Sequence, residues 1–71
     1  MGRNLVTVDV NHEGTKRVVI IYVPRRMEGL AVMLPIRSTP VSVENGGRYF
    51  NDGKLIIFEI AEGNIKITLD N

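Results

Sequence analysis

Val18-Val19-Ile20-Ile21-Tyr22-Val23 is the longest unbroken run of β-branched and aromatic residues in the chain. Such residues fit a pleated, buried backbone, so the run reads as a strand. A strand covered on one face alternates apolar with polar, and this one does not. Val18, Ile20 and Tyr22 need one cover, and Val19, Ile21 and Val23 need another. A chain of 71 residues buries only roughly 60% of its unfolded surface, and a two-sided core is hard to supply from within it. The expectation is a homo-oligomer in which Val19, Ile21 and Val23 meet a neighbouring subunit.

Outward from that run, alternation and turn residues divide the chain. Leu5 to Val10 places Val6, Val8 and Val10 opposite Leu5, Thr7 and Asp9. Asn11-His12-Glu13-Gly14 reads as the turn of a hairpin joining 5–10 to 16–23. Pro24 removes a ladder donor and ends the second strand, and Arg25 to Gly29 reads as a turn. Leu30, Val32, Leu34 and Ile36 fit one strand face, while Met27, Leu30, Ala31 and Leu34 fit helical spacing. Gly29 would cost such a helix about 1 kcal/mol relative to Ala, which favours the strand. Val41–Val43 is short. Asn51-Asp52-Gly53 marks a tight turn before the apolar strand Leu55–Ile60. Ala61-Glu62-Gly63-Asn64 reads as a turn into Ile65–Leu69, which alternates cleanly. Six to seven short strands predict one all-β domain over 1–71, a small antiparallel sandwich or barrel. The alternative is α+β with a short helix at 25–34.

Composition removes several chemistries. Hydrophobic residues make up 44% and charged residues 24%, which are globular values, and there is no Cys and one His. Disulfides are thereby excluded, and so are zinc sites of the Cys/His type. No apolar run approaches the roughly 20 residues of a membrane span. The start of the chain shows no signal-peptide pattern, and Val6 stands where myristoylation wants Ser or Thr; the expectation is a cytoplasmic protein. His12 has no partner set for a hydrolytic triad, and Ser38 and Ser42 stand alone. Glu59, between Phe58 and Ile60, is the one acid inside an apolar strand, and its simplest role is at the rim of a face near Lys54 or Arg48. No glycine pattern matches a phosphate loop. The expectation is a non-enzymatic protein with no catalytic residue, metal or cofactor.

What remains is binding. Lys16, Arg25, Arg26 and Lys66 offer positive charge, and Tyr49 or Phe50 offers a stacking ring, for RNA or a small acidic ligand. The pI of about 8.2 lies below the value above roughly 9 common in dedicated nucleic-acid binders. A protein partner taken up at an edge strand is the rival expectation.

From Met27 onward the order of strands and turns resembles the tryptophan-activated RNA-binding attenuation protein family. The matching stretches are Glu28-Gly29-Leu30-Ala31-Val32-Met33, Asn51-Asp52-Gly53-Lys54-Leu55-Ile56-Ile57-Phe58-Glu59-Ile60 and Ile65-Lys66-Ile67. The resemblance implies a ring of β-sandwich subunits joined edge to edge, with RNA at the rim and a ligand between subunits. Lys66 matches one of that family's RNA-contacting basic positions, and Thr68 stands where the family has a second. The family's Thr- and His-rich ligand loops have no counterpart in Arg37–Gly47 or Ala61–Asn64.

Overall fold

A computed structural model describes residues 6–70. The fold is all-β, with β1 (Thr7–Glu13), β2 (Lys16–Met33), β3 (Pro40–Glu44), β4 (Tyr49–Asp52) and β5 (Leu55–Asp70). All pairings are antiparallel in one sheet of order β1-β2-β5-β3, with β4 also on β5. β3 lies beside residues 66–69 of β5 and β4 beside 55–58. The two short strands therefore run end to end along one edge of β5, while β2 takes the other.

Five strands replace the six or seven expected because two expected breaks are strand interior. β2 joins the runs 16–23 and 27–33, and β5 joins 55–60 and 65–69. Ala61–Asn64 is thus part of β5, not a turn. Residues 25–33 pair with β5 or bridge its irregularity, and no helix is assigned among the described residues; the helical alternative for 25–34 is corrected. Pro24 does not end the strand, since it falls in the unpaired stretch between Val23 and Met27, where its missing N–H breaks no ladder bond. The first hairpin turn is Gly14-Thr15, so His12 lies in β1 opposite Arg17. Leu5 lies outside the described residues.

The sheet is sharply bent. A flat β2 of 18 residues would span about 60 Å at roughly 3.3 Å per residue, yet the long axis of the molecule is 41 Å. Alternation shows where it bends. The buried positions of β2 change from Val19, Ile21 and Val23 to Val32, and those of β5 from Ile56 and Phe58 to Ala61, Ile65, Ile67 and Leu69. Both sets change parity around Gly29, which takes φ +67°, a conformation open to glycine and strained for other residues. The segment after β2 ties the two ends of β5 together. Leu34 N donates to Lys54 O, and Ser38 Oγ donates to Asp70 O at 3.3 Å. The few residues between Leu34 and Ser38 reach less than about 20 Å even when extended, so β5 doubles back.

We call the part built on β1, β3, residues 16–23 and 61–70 the first limb, and the part built on β4, residues 27–33 and 55–58 the second. Their inner faces share one core of Val19, Ile21, Val23, Val32, Leu34, Ile56, Phe58, Ala61, Ile65, Ile67 and Leu69. Val19, Ile21 and Val23, expected at a subunit interface, are at most 1% exposed inside that core. The expectation is corrected: the bend brings the chain's own second limb to the face thought to need another copy.

The opposite face of the same run is closed differently. Lys66 lies opposite Ile20, and Glu13 lies opposite Lys16. Lys66 Nζ and Glu13 Oε2 approach to 3.8 Å, so their stems cross β2 above Val18. Val18 is consequently 2% exposed, covered by the aliphatic parts of charged side chains. No helix among the described residues is long and apolar enough to cross a membrane.

Candidate functional site

The second limb presents an apolar outer face. Because successive side chains alternate, burial of Val32, Ile56 and Phe58 sends Ala31, Met33, Leu55 and Ile57 to the other side. The register aligns them across strands: Ala31 opposite Ile57 and Ile57 opposite Phe50, then Met33 opposite Leu55 and Leu55 opposite Asp52. The same register carried one pair further sets Gly29, Glu59 and Arg48 in a third row. Glu59 N donates to Arg48 O at 3.0 Å, which confirms that row on the β4 side.

The result is three rows on three strands. Ala31, Ile57 and Phe50 form the middle, Met33, Leu55 and Asp52 one flank, and Gly29, Glu59 and Arg48 the other. Phe50 is 63% exposed and Met33 67%. Scattered exposed apolar residues need no explanation, but a contiguous apolar patch rimmed by charge marks a contact surface. An open cleft of about 590 Å³ lies at its Arg48 corner, lined by Gly47, Arg48, Tyr49, Phe50, Ile57 and Glu59.

The first limb differs. On its outer face Thr7, Asp9, Asn11, Lys66, Thr68, Ser42 and Glu44 surround Val18, Ile20 and Tyr22. Tyr22 is the exposed apolar residue there, and polar neighbours border it.

The residues expected to bind an anion are not gathered into one site. Lys16 Nζ lies 3.6 Å from Asp70 Oδ1, and Lys66 Nζ faces Glu13. Both cations thus have a carboxylate at hand. Arg25 and Arg26 are exposed side by side at the irregularity of β2, about 16–20 Å along the strand from the position of Lys66 at ~3.3 Å per residue. Tyr49 lies opposite Phe58 with ring centroids 6.3 Å apart and planes tilted by 53°. That arrangement rests the Tyr49 ring on the core at Phe58, although Tyr49 is itself 44% exposed beside the cleft, and Phe50 is the ring on the outer face of the limb. Among the described residues no three His, Cys, Asp or Glu side chains form a metal-binding group.

Sequence reasoning singled out Phe50 and placed Glu59 near Arg48, and missed Ala31, Ile57 and Asp52 as their companions. Alternation within each strand hinted at the faces, but the companionship depends on the register between strands far apart in sequence. No family model, curated protein or solved structure matches the chain.

Proposed function

We propose that the protein is a non-enzymatic, self-associating binding module whose contact surface is the outer face of the second limb, and whose occupant is a second copy of the chain. The observation that carries this reading is the Ala31–Ile57–Phe50 row, an apolar strip on a regular three-stranded surface with Met33 beside it. A small domain gains stability by burying such a strip against a like surface. Its rim carries both signs of charge, Arg48 and Glu59 at one end and Asp52 at the other, which lets the patch be complementary to its own copy. Bringing two bent sheets together in this way makes a layered β assembly, the nearest counterpart to the sandwich expected from the sequence.

Light scattering across a range of concentrations tests this. The wild-type chain is expected to show a mass that rises from monomer toward dimer or larger, and Phe50→Glu, which places a charge in the strip, is expected to remain monomeric with an unchanged circular dichroism spectrum. A wild-type mass fixed at one chain would refute the proposal.

An RNA or acidic ligand is the second reading, and Arg25 and Arg26 are what favours it. They are adjacent, exposed and without a carboxylate within salt-bridge distance among the described residues. They form a small anion-attracting point on the bend, outside the proposed contact surface.

A further inference from the structure

We infer that the two copies pair about a two-fold axis that lies between the faces and runs across the strands, along the Ala31–Ile57–Phe50 row. This rests on the self-association reading above and adds its geometry.

Face-to-face pairing of this limb admits two simple two-fold arrangements, and the register discriminates between them. An axis parallel to the strands would keep each row over itself. Glu59, on the central strand, would then face the partner's Glu59, and Arg48 would sit over the partner's Gly29. Like charges opposed across an interface are unfavourable. An axis across the strands exchanges the two flanking rows instead. Arg48 then faces the partner's Asp52, and symmetry repeats the pair at the other end of β4.

The same operation settles the apolar fit. Met33, the largest side chain on the β2 edge of the face, lies over the partner's Gly29, which has no side chain and has nothing within 4 Å of its would-be Cβ. Ile57 and Phe50 meet their own copies on the axis. Glu59 faces the partner's Leu55 beside its own Arg48. Packed sheets are usually rotated by about 30°, which displaces the flanking rows by about 3–4 Å given a spacing of ~3.3 Å per residue along the strand. The length of an arginine side chain spans that displacement.

The test is a charge swap: the full chain with Arg48→Asp, with Asp52→Arg, and with both, each followed by sedimentation equilibrium, with circular dichroism as a check of folding. Each single change is expected to weaken the dimer at least about tenfold, because it sets like charges opposite each other at both ends of the interface. The double change restores the pair with its signs exchanged and is expected to return the dimer to within about threefold of wild type. A dimer that ignores the single changes, or one that the double change fails to restore, overturns the across-strand axis while leaving self-association standing. A wild-type chain that stays monomeric at every concentration overturns both.

Discussion

Phe58 joins the two limbs at the level of a single side chain. It is fully buried on β5, and its ring stands against Tyr49 on β4. A Cβ added at Gly46 would fall 2.9 Å from Phe58 Cε1 and 2.6 Å from Val43 Cγ1, so the loop between β3 and β4 lies directly on this ring and on the first limb's Val43. Replacing Phe58 with Ala removes the ring from between elements that cannot fully collapse. The expected loss is about 3–5 kcal/mol, measured by urea denaturation, and for so small a domain that approaches the whole of its stability. A loss below about 1 kcal/mol would show that the limbs do not share one core. Glu13 and Lys66 illustrate a different single-residue effect. As an exposed ion pair they contribute little through charge, but their stems are the lid over Val18. The pair is distant in sequence, and no property of the run 18–23 announces that it supplies a cover. For that reason the two-sided apolar run reads, from sequence, as a demand for another subunit.

At the scale of elements, the bend decides what the strands enclose. Gly29 holds φ +67°, and its would-be Cβ meets open space, so a side chain there would be strained by backbone conformation alone. Gly29→Ala is expected to cost about 1–2 kcal/mol, and Gly29→Asn less, since Asn tolerates the left-handed region. Equal losses for Ala and Asn in denaturant titrations would point to a steric cause instead. A second anchor lies across the sheet, where Asn45 Nδ2 donates to Asn64 O at 2.7 Å and fixes the β3–β4 loop to β5 beside Gly63. The strands themselves were legible. Val6, Val8 and Val10 alternate on one side, Ile65, Ile67 and Leu69 on another, and Gly53 opens the tight turn between β4 and β5. The turn-like residues at Arg25–Gly29 and Ala61–Asn64 were legible as irregularities, but propensity does not distinguish a turn from a bend within a paired strand. β2 and β5 remain one strand pair across these interruptions because each supplies the other with hydrogen-bond partners on either side of them.

For the whole molecule, the bend creates two unlike outer surfaces. The first limb's outer face is mixed and polar, with Val8 and Val10 exposed on the other side of β1 and Val41 exposed on β3, and the second limb exposes the Phe50–Met33 patch. Positive charge is distributed between them without a continuous track. Lys16 and Lys66 sit near carboxylates, and net charge is +1. Attraction to single-stranded RNA would depend on Arg25 and Arg26, and two such contacts give a slope of log affinity against log salt of about −1.4. Filter binding or anisotropy over a salt series measures that slope; a value near −4 would reveal a larger basic site than this arrangement contains. The candidate contact face was legible only in fragments. Tyr49 and Phe50 are neighbours in sequence, and the strand's alternation sets one ring beside Phe58 and the other on the outer face. Which residues surround the outward ring follows from the register of β2, β5 and β4, which the Gly53–Lys54 turn fixes between β4 and β5.

Methyl resonances of methionine locate the contact most directly. Met33 lies on the proposed face, whereas Met27 is half-buried against the core. Carbon-13 methyl-methionine NMR spectra recorded from dilute to concentrated protein should show the Met33 signal shifting or broadening as copies associate, with the Met27 signal unchanged. A Met33 signal indifferent to concentration while the mass of the particle grows would contradict the account, because association would then use another surface.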